Sequence, residues 1–411
     1  MANSSKRGKS VSVPAREHNH HNATLASVAR RWESLPHAAG AREHLLDEHT
    51  QQHADEYAAH IEQFIGAVKT PVGLAGPLRV NGNYARGDYF IPLATTEAAL
   101  VASYHRGAQL VTAAGGCRVA LIEEGVGRSP GFVFTNLDEA LAFVGWTQTQ
   151  RDSFARAAEA TTRHGRLTSV ETTIAGNHVF VTFMFSTGDA AGQNMATLAA
   201  QAICDYIMAE CPVRPLSSII ESNYSRDKRQ TARAFSSVRG RKVTAEITLP
   251  ADLVHRRLRA SPQQMADYVR MATVAAIMNG SVGIHGQIGN AMAALFLACG
   301  QDIASVVEAS VGVSRAEVTP DGDLYATITL PNLIVGTIGG GTRLPSQRAC
   351  LDILNLPAEH SSQAFAEVCA ATCLAGELSL VGALCSGDFT RAHRVLGRAR
   401  RNGRSQPNSH A

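Results

Sequence analysis

Residues 167–195 read LTSVETTIAGNHVFVTFMFSTGDAAGQNM. Two runs rich in β-branched and aromatic residues, Leu167–Thr173 and His178–Ser186, flank Ala175-Gly176-Asn177, which marks an antiparallel hairpin. A turn, Gly188-Asp189-Ala190-Ala191-Gly192, then leads into a helical stretch over Gly192–Glu210. An antiparallel hairpin at this point does not indicate a parallel dinucleotide fold, and the turn is not G-x-G-x-x-G. The helix start still offers free N–H groups to a pyrophosphate. With helices expected over about Leu137–Val144 and Ser153–Ala160, residues 129–218 read as an inserted ferredoxin-like α+β unit.

Before this unit, residues 1–22 are polar, and helical periodicity covers residues 23–65 (Leu25, Val28, Ala29, Trp32; then Tyr57, Ile61, Phe64). His18, His20 and His21 lack cysteine or carboxylate partners at ligand spacing, so no metal site is expected. Pro71-Val72-Gly73-Leu74-Ala75-Gly76-Pro77-Leu78 is too rich in Pro and Gly for a helix and reads as extended chain and turns. Ala94-Thr95-Thr96-Glu97 precedes a helix from about Ala98 to Ala113. After the unit, residues 219–230 show no period and read as a loop. A strand (Lys242–Leu249), a Ser-capped helix (Pro262 to about Met278) and an all-round apolar, hence buried, helix (Asn290–Cys299) follow. Strands at Leu324–Leu330 and Asn332–Val335, the turn Gly336–Thr342, and two helices, Ser361–Ala375 and Glu377–Cys385, complete the body.

The 411 residues are 45% hydrophobic and 18% charged, the balance of a globular enzyme, and 38 basic against 35 acidic side chains give +3. That charge argues against a nucleic-acid or membrane-surface partner. No apolar stretch of spanning length and no secretory leader is apparent, so a cytoplasmic protein is expected. The eight cysteines form no C-x-x-C pair and read as reduced core thiols.

Four ionisable residues stand out. Glu97 ends an apolar, Thr-rich segment and is either a helix-start residue or a desolvated general acid. Asp302, after the buried helix, is either a cap or a site residue. Lys228 is either a solvated turn residue or a cation aimed at an oxyanion. His393 sits in a basic tail, where a histidine is usually solvated.

Taken together, Pro71–Leu78, Ala94–Glu97, Thr187–Met195, Asp227-Lys228, Gly300-Gln301-Asp302, Gly336–Thr342 and Glu377-Leu378-Ser379-Leu380 resemble, in order and spacing over about residues 60–398, the catalytic part of hydroxymethylglutaryl-CoA reductase. The likeness is to the eukaryotic and archaeal type without its membrane anchor. It implies reduction of an acyl-CoA thioester to an alcohol by two hydrides from NADPH, with NADH as the alternative. Lys228 would stabilise the oxyanion, Glu97 supply protons, Asp302 tune both, and His393 protonate the CoA thiolate. Asp189, Asn194 and Gly339, Gly340 and Gly341 match dinucleotide contacts, and Arg398 matches a 2′-phosphate partner. Ser103 and Arg106 match the CoA side. Arg128, Asn290, Asp227 and Arg229 match the acyl side. Ala399 stands where regulated relatives carry a phosphorylatable serine.

The implied fold is α+β: a helical N-terminal segment (1–58), a large acyl-CoA-binding α/β domain around the buried helix (59–128 and 231–398), the ferredoxin-like dinucleotide-binding domain (129–218), a catalytic loop (219–230) and a basic tail (399–411). Family members are homodimers with sites at the subunit interface, where Glu97 and Asp302 would face a loop of the neighbour. Departures lie on the acyl side. Glu221 stands where the family has a serine that meets the substrate carboxylate, and would repel it unless neutral or turned away. A family lysine falls on Arg270, or on Ala272 counting from the other anchor. An altered acyl group is therefore one alternative, and a non-catalytic CoA-binding relative is another.

Overall fold

The computed structural model describes residues 24–391 apart from Ala59. His393, Arg398 and Ala399 lie outside the described residues.

The described residues up to Lys69 form one compact unit. The Thr24 hydroxyl accepts from the Ser27 amide and starts the helix Leu25–Glu33, whose apolar stripe turns Val28 and Trp32 inward. These pack with Leu46, Ala54 and Phe64, and the Trp32 indole N–H donates to the Ile65 carbonyl at 2.9 Å. Because Phe64 and Ile65 complete this small core, the unit runs past residue 58 to Lys69.

From Thr70 on, the chain is built on a ten-stranded sheet. The strands are β1 (Val72–Asn81), β2 (Arg86–Ala94), β3 (Cys117–Arg128), β4 (Gly131–Val133), β5 (Arg166–Ala175), β6 (His178–Ser186), β7 (Ser217–Ile219), β8 (Gly240–Leu249), β9 (Val313–Val318) and β10 (Leu324–Leu333). Their order is β7-β4-β6-β3-β8-β10-β9, with β5 on β6 and β1 beside β2 and β3. β3 is shared: Arg118–Gly125 pairs with β8, and Val126–Arg128 pairs with β6. One core gathers Phe132, Phe134, Phe143, Phe154, Phe183 and Phe185 under the helix Gln193–Glu210. The other surrounds the helices Leu100–Ala113, Ile288–Ala298 and Ser361–Cys385.

The hairpin β5–β6 forms at the expected turn. Pro77 and Pro331 are accommodated where β1 and β10 slip register, at Ala75/Leu78 and Leu330/Leu333, since a residue without an N–H fits a strand paired on both sides only at such irregularities. β10 is therefore one strand rather than two. Ser361–Cys385 is likewise one helix rather than two. Glu377 does not break it, because its carboxylate accepts from the Gly286 and Gln287 amides at 2.6–3.0 Å. Merged, this helix has the length and apolarity to cross a bilayer, contrary to expectation, yet it is almost wholly buried as core.

Close packing on this helix fixes Gly107. A β-carbon there would collide with the Ala375 backbone. Gly107→Ala should gain about 1 kcal/mol of helix propensity but lose more to overpacking, typically about 1–3 kcal/mol, because the obstacle is backbone and cannot rotate away. A lowered melting temperature is the expected result, where an open helical site would give a raised one.

Candidate active site

The segment 220–230 carries three residues in the left-handed region, Asn223 (φ 68°), Arg226 (φ 67°) and Lys228 (φ 54°). Asn tolerates this region; Arg and Lys do so only when the surroundings hold them. Buried charge does the holding. The Arg226 guanidinium donates to the carbonyls of Ser237 (3.1 Å) and Val238 (2.9 Å). Arg239, 1% exposed, donates to Asp227 Oδ1 (2.7 Å), Glu308 Oε2 (2.7 Å) and the Gly127 carbonyl (3.0 Å). Arg128, at the end of β3, donates to Asp227 Oδ2 (3.0 Å) and Glu221 Oε2 (2.8 Å). Three carboxylates and two guanidiniums thus alternate through the base of the loop. Burial alone would raise the Asp227 carboxyl, but Arg239 and Arg128 outweigh it and hold it below the usual carboxylate range. Burial wins at Glu308 and pushes its carboxyl up despite Arg239.

On this base the Lys228 ammonium lies 3.0 Å from Asp302 Oδ2. The Oδ1 of Asp302 caps the short turn Ile303–Ser305, accepting from the Ala304 amide at 3.1 Å, while Oδ2 faces the lysine. Within one chain, Asp302 therefore pairs with its own loop. The preceding Gln301 is buried and bonds both the N–H (2.8 Å) and the carbonyl (2.9 Å) of Gly336, and a β-carbon on Gly300 would strike Gly341. This ties Gly339–Gly341 to the Asp302 segment. The carbonyl of Asp189 accepts from Thr337, and its carboxylate accepts from Ser362 N–H and Oγ, both at 3.0 Å. Asn194 is exposed in the first turn of a helix that has no side-chain cap.

Glu97, Ser103, Arg106 and Asn290 line a different place, a cleft of about 510 Å³ with Tyr268 and Leu384 on its walls. Ser379 organises it, meeting Ser103 Oγ at 3.0 Å and Arg106 through its hydroxyl and carbonyl. The Glu97 side chain is exposed and its carboxylate has no hydrogen bond or ion pair among the described residues, so one chain alone does not supply the burial expected for it. Arg270 is not part of the cleft; it is exposed and pairs with Asp267 at 2.7 Å. Glu221 is turned away from any free position: besides Arg128 it accepts from Ser225 Oγ (2.6 Å) and the Asn223 amide (2.8 Å). Arg229, exposed, donates to Asn223 Oδ1 at 3.0 Å. Arg239 and Glu308 escaped sequence reading, because a buried ion pair leaves no periodic trace. The only clue was an acidic residue inside the apolar run Val306-Val307-Glu308-Ala309.

The family profile described as hydroxymethylglutaryl-coenzyme A reductase matches residues 27–398. The 3-hydroxy-3-methylglutaryl-coenzyme A reductase of Pyrococcus horikoshii is 40% identical over 382 residues, 91% of this chain and 92% of the relative. That of Methanocaldococcus jannaschii is 39% identical over 344 residues, 82% and 85% respectively. In fold, the chain is similar to the class II 3-hydroxy-3-methylglutaryl-CoA reductase of Streptococcus pneumoniae bound to NADPH in open conformations, with a TM-score of 0.62 at 20% identity, covering 87% of this chain and 96% of that one. With a profile match over nearly the whole chain and relatives at about 40% identity along most of their own length, this chain belongs to the hydroxymethylglutaryl-CoA reductase family.

Proposed function

We propose that the chain reduces 3-hydroxy-3-methylglutaryl-CoA to mevalonate and free CoA, through a hemithioacetal and an aldehyde, at the expense of two NADPH. The observation that carries this reading is the Lys228 ammonium held 3.0 Å from Asp302 on a loop fixed by buried ion pairs. Each hydride addition puts negative charge on the substrate carbonyl oxygen, and a fixed ammonium stabilises it. The bound dinucleotide supplies only the hydrides. The residues fit it: the uncapped helix start at Gln193, with Gly192 in the left-handed region (φ 78°), and the side-chain-free turn Gly339–Gly341 suit a pyrophosphate. We assign residues 129–218 to this ligand as a ferredoxin-like domain, a reading supported by the strand order β7-β4-β6-β5. Arg398 would favour NADPH over NADH.

Ser103, Arg106 and Asn290 hold the acyl-CoA, and Glu97 gives protons to the reduced oxygen. His393 protonates the departing thiolate. Because Glu97 lines the cleft while Lys228 and Asp302 sit together elsewhere on the chain, we assign the working site to a homodimer that brings one chain's cleft to the other's loop. Asp227, Arg128 and Arg229 complete the acyl side.

Following NADPH absorbance with micromolar 3-hydroxy-3-methylglutaryl-CoA tests this: two NADPH should be consumed per mevalonate formed. No oxidation with any thioester would favour a non-catalytic binding relative. One observation supports a different acyl group: Glu221 occupies Arg128, which an incoming carboxylate would have to share. Faster turnover of neutral 3-hydroxyacyl thioesters than of the dicarboxylic one would establish that second reading.

A further inference from the structure

We propose that Glu308 is a positioning residue for the reduction, whose buried carboxylate fixes the backbone from which the Lys228 ammonium projects. This rests on the reductase reading above. Lys228 adopts φ 54°, a region disfavoured for any residue with a β-carbon, and its own side chain points away to Asp302. What holds the backbone is its amide, which donates to Glu308 Oε2 at 3.3 Å. The same oxygen accepts from Arg239 Nε at 2.7 Å, so the acceptor is itself anchored. Two residues on, the Gln230 side-chain amide donates to Ser310 Oγ at 3.0 Å. One short stretch, residues 302–310, therefore grips the loop from both ends of the lysine: Asp302 at the ammonium, Glu308 at the backbone.

Glu308 is fully buried and is not among the residues lining the cleft of Glu97 and Asn290, so it meets no substrate and acts through Lys228. Its second oxygen, Oε1, is buried without a hydrogen-bond partner. The carboxylate is thus placed by what Oε2 must reach rather than by its own satisfaction.

Glu308→Ala is expected to lower kcat for 3-hydroxy-3-methylglutaryl-CoA by about 10²-fold, the usual consequence of misplacing a catalytic group by an ångström. KM for the thioester and Kd for NADPH should stay within about threefold, because neither ligand touches Glu308. Glu308→Gln, which keeps an acceptor for the Lys228 amide, should recover most of the lost kcat. In the unmodified enzyme, the Lys228 amide should exchange its hydrogen at least about tenfold more slowly than a free peptide. The proposal is overturned by wild-type kcat in Glu308→Ala, by an equal loss of ligand affinity, by no recovery in Glu308→Gln, or by free-peptide exchange at Lys228. If the unmodified protein oxidises no NADPH, the reductase reading fails instead, and the exchange measurement still decides the clamp.

Discussion

Lys228→Ala is expected to cut turnover of 3-hydroxy-3-methylglutaryl-CoA by about 10²–10³-fold, the loss that follows removal of one preorganised donor to a developing oxyanion. The loss should fall on kcat. A carbonyl oxygen in the bound thioester is nearly neutral, and the full charge appears only as hydride arrives, so the ammonium discriminates between ground and transition states. Arg229 cannot take over, since its guanidinium is directed to Asn223. Nor should the variant be unstable. Lys228 and Asp302 are both about two-fifths exposed, with 44% and 41% of their side-chain surface accessible, and such pairs contribute about 0–1 kcal/mol. Steady-state kinetics, thioester binding by calorimetry and a thermal melt on one preparation would separate these effects. Unchanged kcat would remove the lysine from the chemistry.

Arg239→Ala should produce the largest stability loss, about 3–5 kcal/mol, the range for breaking a buried ion pair from one side. It would leave Asp227 and Glu308 facing each other across a vacated site, and the Gly127 carbonyl without its donor. The loss should depend on pH with a definite sign. In the native protein, Asp227 is held below its ordinary range, so its stabilisation is complete above an unfolded pKa near ~3.9 and disappears as pH falls through the folded value. Without Arg239, burial is less opposed, and both carboxyls take up protons at higher pH than before. The deficit of the variant should thus be greatest at neutral pH and shrink on acidification. Urea unfolding at pH 7 and pH 5 reads this directly, and a deficit that grows in acid would contradict the assignment.

These two residues also mark how far the sequence could be read. The residues alone left Lys228 and Asp302 open between a bland and a functional reading; the motifs that carry the family resemblance single them out, and the fold sets the two 3.0 Å apart. The hairpin β5–β6 was visible from alternation and a turn. Arg239 and Glu308 were not, since a charge buried against another charge obeys no period and is identified only by its partner. The helix Ser361–Cys385 was divided at Gly376-Glu377 for the same reason: the partners that make Glu377 tolerable, the amides of Gly286 and Gln287, are far away in sequence. Arg270 was assigned by counting alone, and the chain directs it to Asp267 instead.

Strand β3 belongs to two ladders in succession, changing partner from β8 to β6 between Gly125 and Val126, and it ends on the arginine that grips Glu221 and Asp227. Its two halves thus belong to different cores, with the changeover at Gly125. Arg128 therefore hangs from the Phe-rich lobe, and through Asp227 it is tied to the residue next to Lys228. A substitution that displaced Arg128 would then be felt at the lysine without touching it.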